Sequence, residues 1–317
     1  MKRFLISILL FAAGTVAAQP VTRIVVPFAA GGVQDIIARS ISAELGAAIG
    51  RSVIVENRTG AGGTIGNAAV AKSAADGNTL LLAAASHTIT GHVYAKLPYH
   101  PIDDFTGIAH IGTVDYVLII NSELPARTVS ELIIYLKKNP GKFNYATAGN
   151  GSATHLSMAY FAALAGVEMV HIPYKATNEA VQEVLAGRSH AVVASTIGAI
   201  PFAREPRVRM LGVSGAKRSK FLPDLPTIAE GGKDSDLRGY AFDSWIALLA
   251  PAATPKATVE AINAAMAGLL KDPVILGRLD KQGVVPQAMS PEALNALLRA
   301  DYQKMAGVVK AAGAKND

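Results

Sequence analysis

Two glycine-containing turns carry the residues with the most informative chemistry, and the first lies in residues 21–39, VTRIVVPFAAGGVQDIIAR. β-Branched residues up to Val26 predict a strand, and apolar residues at helical spacing after Gly32 predict a helix. The intervening Ala30, Gly31 and Gly32 let an anion approach the first N–H groups of that helix, where the helix dipole favours negative charge. We expect half of a small-carboxylate site here; the alternative is an ordinary strand-to-helix turn.

The second turn, YATAGNGSATH at residues 145–155, repeats this arrangement later in the chain. Its small residues expose backbone N–H groups, and its polar side chains add hydrogen-bond donors. Two helix N-termini facing each other across a cleft could clamp one carboxylate or two carboxylates of one ligand. Ser152 also suits a simple helix cap, and His155 also suits a packed histidine bonded to backbone. The candidate residues are Gly149, Asn150, Gly151, Ser152, Thr154 and His155.

The residue spacing does not match the motifs of nucleotide-binding, nucleophile or metal sites. The glycine turn at residues 60–66 has Ile65 where a dinucleotide-binding loop requires glycine, and no phosphate loop or nucleophile elbow occurs. The histidines show no metal-site spacing, so we expect neither a metal nor a cofactor. Asp243 and Trp245, two apart on an expected strand at 240–249, could both face a cleft. The alternative places Trp245 in the core and Asp243 at a solvated strand end.

The elements that position these turns alternate in a β-α-β-α-β order, which predicts an α/β fold with parallel sheets. A second such series begins near Asn121, and a late strand with three helices closes the chain. We therefore predict two lobes with a cleft between them, since clefts between lobes are preferred ligand sites. Lobe 1 would comprise residues 19–120 and 239–317, and lobe 2 residues 121–238, with crossings near 119–121 and 238–240.

The first residues predict export. A basic start at Lys2 and Arg3, an apolar stretch and a small-residue site ending at Ala18 indicate a signal peptide over residues 1–18, cleaved near Ala18. No later window approaches about 20 uninterrupted apolar residues. There is no cysteine, so disulfides and thiolate metal sites are excluded. The net charge of +6 is scattered, which argues against a nucleic-acid partner.

Several segments in order resemble the Bug-type extracytoplasmic solute receptors of tripartite tricarboxylate transporters. They are PFAAGGVQDIIAR, VENRTGAGGTIGN, DGNTLLLA, LPYHPIDDF, YATAGNGSATHL, VHIPYK, LPDLPTIAE and SWIALLAP. The resemblance implies a two-lobed periplasmic binding protein of type II, a Venus flytrap, that closes over a small carboxylate. It implies that loops at residues 28–35 and 149–155 hold the carboxylate, partly through water. This adds to the site Phe28, Gln34, Asp35, Ser86, Ser195 and Thr196.

Departures from the family pattern concern ligand identity. Gln34 stands where threonine or serine is common, next to the expected site; His100, Ala176 and Ala247 are also unusual. The resemblance implies a monomeric receptor that is not an enzyme, delivering a dicarboxylate, tricarboxylate, acidic amino acid or aromatic carboxylate to membrane permease subunits. One alternative is presentation of the ligand to a membrane sensor kinase. Another is a secreted hydrolase using Ser152, although a serine and a histidine three apart on a helix rarely form a nucleophile–base pair.

Overall fold

The computed structural model describes residues 21–233 and 237–314. The expected signal peptide lies outside the described residues, as do 234–236 and 315–317 of the expected lobes. Within the described ranges, no helix combines the length and apolar character needed to cross a membrane.

Strands and helices alternate through the first third of the chain, as the sequence predicts. In order they are β1 (Val21–Val26), α1 (Val33–Ile49), β2 (Ser52–Asn57), α2 (Thr64–Ala71), β3 (Thr79–Ala84), α3 (Ser86–Val93) and β4 (Phe105–Val114). A short 3-10 helix, Ala61–Gly63, precedes α2.

The middle of the chain forms a second α/β series. Its elements are β5 (Tyr116–Asn121), α4 (Val129–Lys137), β6 (Asn144–Thr147), α5 (Ala153–Ala165), β7 (Val170–Pro173), α6 (Thr177–Leu185), β8 (Ala191–Ser195), α7 (Thr196–Ala199), β9 (Val208–Val213) and α8 (Ile228–Gly231). The remaining elements are β10 (Ser244–Pro251), α9 (Lys256–Leu269), α10 (Pro273–Lys281), β11 (Val284–Pro286) and α11 (Pro291–Ala312).

Two sheets define two lobes. The sheet of lobe 1 has the order β11-β4-β10-β3-β1-β2, and that of lobe 2 has the order β7-β6-β8-β5-β9. In lobe 1, β1 pairs in parallel with β2 and β3, while β10 runs antiparallel between β3 and β4. Residues such as Ile24, Val26 and Leu82 are fully buried between sheet and helices, because helices cover both faces of such a sheet. This confirms the predicted two-lobed α/β fold.

The chain passes between the lobes earlier than the predicted position at 119–121. β5 pairs with β8 and β9 in lobe 2, so the first crossing is at Asp115, between β4 and β5. The return lies just before β10, where Phe242 N–H donates to Ser214 O at 2.8 Å. The predicted crossing was displaced because residues 106–120 contain two strands with no helix between them, and hydrophobicity does not show which sheet a strand joins.

The C-terminal helix α11 belongs to both lobes, whereas the sequence placed all of residues 239–317 in lobe 1. Leu294 and Leu298 pack in the core of lobe 1. Met305 and Val308 pack in the core of lobe 2, together with Ile89 of α3. A helix of this length spans both lobes, so the expected assignment of its last turns was wrong.

The strand predicted at 240–249 begins later, at Ser244. Asp243 therefore precedes the strand, and the expected shared face with Trp245 does not exist. The Trp245 indole is buried in the core and its Nε1–H donates to Asp301 Oδ2 at 2.9 Å. Trp245 is thus a core residue that fixes α11 to the sheet.

Candidate functional site

Loop 1 (residues 28–35) joins β1 to α1 and presents an uncapped helix N-terminus. Gly32 is the N-cap residue, with φ −75° and ψ 166°, and no side chain caps α1. Gly31 has φ +77°, the left-handed region that glycine tolerates best. The first-turn N–H groups of an α-helix have no acceptor within the helix, so those of α1 are available to a ligand.

Asp35 braces loop 1 from behind. Its carboxylate accepts from Gly31 N–H at 2.9 Å, from Arg39 Nε–H at 3.0 Å and from Asn57 Nδ2–H at 3.0 Å. Burial alone would raise the pKa of Asp35, but hydrogen bonds from Arg39, Gly31 and Asn57 hold that pKa below its ordinary value. Arg39 Nη2 also lies 3.0 Å from the carboxylate, so the charge is paired. Asp35 therefore shapes the loop and stays ionised.

Loop 2 (residues 148–155) joins β6 to α5 and is braced by neutral side chains. Ser152 caps α5, accepting from His155 N–H at 3.2 Å. The Ser152 hydroxyl lies 3.0 Å from Thr154 Oγ1, which accepts from Ala148 N–H at 2.9 Å. Ser152 thus has the capping role that its sequence position suggested, and it also faces the space between the lobes.

The imidazole of His155 supports loop 2 without lining the interlobe cavity. Its Nδ1 accepts from Gly151 N–H at 3.2 Å, and its ring stacks on His171 with centroids 4.1 Å apart. Burial, reinforced by the neighbouring His171, lowers the pKa of His155 to about 3. Burial lowers the pKa of His171 to about 4. Both rings are therefore neutral near pH 7, and His155 is a packed histidine.

A cavity of about 610 Å³, including its open part, lies between the lobes. The N-terminal residues of α1, α3, α5 and α6 all line it, so four helix dipoles favour negative charge there. Among the described residues that line it, none has a charged side chain. The lining residues that the sequence analysis singled out are Phe28, Gly32, Gln34, Ser86, Ser152, Thr154 and Ser195.

The remaining candidates lie elsewhere. Ala30 and Gly31 are on the exposed outer side of loop 1, and Asp35 is behind it. Thr196 donates its hydroxyl to Asp115 O at 2.7 Å and is fully buried. Asp243 is exposed at the second crossing.

Four candidates of loop 2 border other spaces or none. Gly149 and Asn150 line a neighbouring cavity of about 890 Å³ that shares Phe28 and Ala148 with the first. His155 lines a third cavity, of about 540 Å³. Gly151 is buried beneath Tyr94, whose ring carbon would lie 3.1 Å from a Cβ at that glycine.

Sequence reasoning missed part of the cavity wall. Ala176 and Thr177 bring in the start of α6, and Tyr116 contributes from the beginning of β5. The signal for α6 was present, since a strand at 168–172 followed by a helix repeats the geometry of the other two turns. Tyr116 gave no signal because its place in the cavity depends on the crossing at Asp115.

Contacts across the mouth join the two lobes. Tyr94 Oη donates to Asn150 O at 3.1 Å, and Asn178 Nδ2 donates to Gly31 O at 3.2 Å. A Cβ at Gly62 would lie 2.3 Å from Asn150 O, so the loop of lobe 1 touches lobe 2 backbone directly. The lobes are therefore closed over the cavity. Within 21–233 and 237–314, no cluster of three or more metal-binding side chains is present.

A two-lobed α/β fold with an interlobe cavity lined by helix N-termini is the architecture found in solute-binding receptors. The chain matches the TctC family, described as the tripartite tricarboxylate transporter family receptor, over residues 37–314. It belongs to this family, which confirms the resemblance found in the sequence.

Solved structures of relatives share the whole fold. Rpa4515 of R. palustris with adipate is 33% identical, with a TM-score of 0.86, covering 93% of this chain and 97% of that one. The periplasmic binding protein BugD is 32% identical, with a TM-score of 0.85, covering 94% and 99%. MatC of Rhodopseudomonas palustris with bound malate is 30% identical, with a TM-score of 0.83, covering 91% and 98%.

Proposed function

We propose that this protein is a periplasmic receptor that closes over a small carboxylate and delivers it to the permease of a tripartite tricarboxylate transporter. One observation carries the proposal: the N-termini of α1 and α5 come from opposite lobes and line the same cavity. Relatives hold adipate and malate, both carboxylates, which supports the same ligand class here.

The ligand carboxylate would lie between loop 1 and loop 2. Its oxygens would accept from the first-turn N–H groups of α1, which no side chain caps. The opposite side would be the start of α5, where Ser152 and Thr154 face the cavity. Asp35 braces loop 1 from behind, and hydrogen bonds within loop 2 together with His155 brace loop 2. The N–H groups are therefore positioned before the ligand arrives, which reduces the entropy cost of binding.

Thermal-shift and titration screening of carboxylates tests the binding function. A ligand at about one hundred times its Kd should raise the free energy of unfolding by roughly 2.7 kcal/mol. Uncharged amides of the same acids serve as controls and should give no shift. If no carboxylate in a broad set binds, the proposed function is wrong.

Gly32→Val tests the geometry. Gly32 has an extended backbone that any residue can adopt, but a Cβ there would lie 3.1 Å from Ala29 O, at the cavity wall. We expect this variant to fold and to lose carboxylate binding. Gly268→Val on the exposed side of α9, where a Cβ meets nothing within 4 Å, is the matched control and should bind normally. Retained affinity in Gly32→Val would contradict the proposed site.

Delivery requires a test in cells. Strains lacking this receptor or a tripartite tricarboxylate permease of the same organism should lose uptake of the radiolabelled carboxylate that the protein binds in titration. Loss of uptake in both strains, restored by each gene in turn, would support transport. Normal uptake alongside a lost transcriptional response would instead indicate presentation to a sensor kinase.

A further inference from the structure

Lobe 1 presents two buried polar side chains to the cavity without a protein partner. Gln34 is 8% exposed and Ser86 is 4% exposed, and both line the cavity. Neither side chain makes a hydrogen bond to another residue in the described part of the chain. Leaving buried polar groups unpaired is unfavourable, so these two groups are suited to polar atoms of whatever fills the cavity.

The buried polar side chains that lobe 2 contributes to the cavity are already engaged, and Thr177, which also lines it, is only partly buried. Ser152 and Thr154 bond within loop 2, and Ser195 Oγ accepts from Gly198 N–H at 3.4 Å. Tyr116 is hydrogen-bonded to Ser244. Among the described buried polar side chains that line the cavity, Gln34 and Ser86 are therefore the two that lack a hydrogen-bond partner in the protein.

Electrostatics favours a single negative charge on the ligand. No side chain that lines the cavity supplies a cation. At α1 the carboxylate of Asp35 is paired with Arg39, so that terminus can accept an anion. The first turn of α6 carries Glu179, which accepts from Lys175 N–H at 3.1 Å and has no ion pair among the described residues. Glu179 is exposed and lies outside the cavity wall, so its repulsion of a second carboxylate near α6 is screened by solvent, and the main disadvantage for a second charge is that no cation lines the cavity.

The rest of the cavity wall is apolar, which favours a ligand whose central part is also apolar. Its aliphatic and aromatic members are Phe28, Ala29, Val33, Ala84, Val114, Ala148, Ala153 and Ile246. Such walls bind hydrocarbon or aromatic carbon and offer nothing to additional charged groups.

We propose that the cavity selects a monocarboxylate with an apolar body and a second, uncharged group that both donates and accepts hydrogen bonds. The carboxylate lies between α1 and α5, and the neutral group, a hydroxyl or a carboxamide, binds Gln34 and Ser86. The Gln34 amide offers two donors and an acceptor, and a hydroxyl or carboxamide satisfies both kinds. This inference rests on the proposed function and narrows its ligand class.

Titration with two matched series tests it. The aliphatic series is hexanoate, 6-hydroxyhexanoate and adipate; the aromatic series is benzoate, 4-hydroxybenzoate and terephthalate. Within each series the first carboxylate and the six-carbon chain or the benzene ring stay the same, while the far end is apolar, neutral polar or charged. In at least one series we expect the neutral polar member to bind at least tenfold more tightly than both others.

A pair of variants identifies the residue responsible. Gln34→Met keeps the length of the side chain but removes its hydrogen bonds, so it should weaken the neutral polar member at least tenfold and leave the apolar member unchanged. Gln182→Met, on the exposed face of α6, is the matched control and should change neither affinity. Equal weakening of both ligands by Gln34→Met would show a role in packing alone and would overturn the assignment.

The outcomes separate this inference from the proposed function. Tightest binding of a dicarboxylate or of the apolar acid in both series overturns the inference and leaves a carboxylate receptor. If no member of either series binds while other carboxylates do, the inference is likewise overturned and the protein remains a carboxylate receptor. Failure of every carboxylate in the broad screen removes the proposed function itself.

Discussion

Loop 1 and loop 2 reach the same backbone shape with different chemistry. In loop 1 the brace is a carboxylate, Asp35, held by Arg39 and Asn57. In loop 2 the braces are neutral: the hydroxyls of Ser152 and Thr154 and the imidazole of His155. A helix N-terminus can thus be prepared for an anion either by a buried charge that has a partner or by uncharged acceptors.

The difference divides the work of recognition between the lobes. The buried polar side chains of loop 2 make their hydrogen bonds within the loop. Loop 1 leaves the start of α1 uncapped and Gln34 without a partner. We therefore expect lobe 1 to determine which ligand binds, and lobe 2 to close over it.

The charged brace of loop 1 should be the costlier one to remove. Asp35→Ala deletes a 3% exposed carboxylate together with its bonds to Gly31, Arg39 and Asn57. We expect the free energy of unfolding to fall by about 3 kcal/mol, since hydrogen bonds to a charged group contribute about 1.5–3 kcal/mol each and these are not additive. Urea unfolding measures the change.

Asp35→Asn is the control that separates the effect of the negative charge from that of the side-chain shape. It keeps one oxygen to accept from Gly31 N–H but loses the pairing with Arg39, so we expect an intermediate loss of stability. A loss below about 1 kcal/mol in Asp35→Ala would mean that the carboxylate does not brace the loop. In that case the contrast between a charged and a neutral loop would have no energetic basis.

Much of loop 1 could be read from the sequence. β-Branched residues, the paired glycines and the apolar residues from Val33 give β1 and α1 from local pattern alone. The role of Asp35 could not be read, because it depends on Asn57, which β2 brings alongside through strand pairing. Contacts between elements distant in sequence are not encoded in local periodicity.

Loop 2 shows the same limit. The cap at Ser152 follows from its position before a helix, and the structure has it. The burial of His155 against His171 and the entry of α6 into the cavity depend on the pairing of β6 with β7. The local turn was therefore predictable, and the direction in which each side chain points was not.

Acid should destabilise loop 2 but not loop 1. His155 has a folded pKa of about 3 against about 6.5 unfolded, so below pH 6.5 the unfolded chain takes up a proton that the folded chain excludes. The stability that this neutral imidazole allows is therefore lost as the pH falls, by about 2 kcal/mol between pH 7.5 and pH 5. Asp35, with its lowered pKa, stays ionised over that range and leaves loop 1 intact.

Urea unfolding at several pH values checks this expectation, with His155→Asn as the matched variant. The asparagine Oδ1 can accept from Gly151 N–H but does not titrate, so the decline in stability between pH 7.5 and pH 5 should become shallower. Other buried histidines, including His171, leave part of the decline in place. Identical pH profiles for the two proteins would show that His155 does not make loop 2 acid-sensitive.

The smallest effect distinguishes capping from binding within loop 2. Ser152→Ala removes the N-cap of α5, and Ser290→Ala removes the N-cap of α11, where Ser290 Oγ accepts from Ala293 N–H at 3.2 Å. Each should lower the free energy of unfolding by about 1 kcal/mol. Because only Ser152 lines the cavity, only its variant should also weaken carboxylate binding, and by a few fold, since the hydroxyl is already engaged within the loop. If both variants bind as well as the wild type, loop 2 contributes through its backbone alone. If Ser152→Ala instead lowers carboxylate affinity a hundredfold or more, Ser152 contacts the ligand directly, and both lobes rather than lobe 1 alone determine specificity.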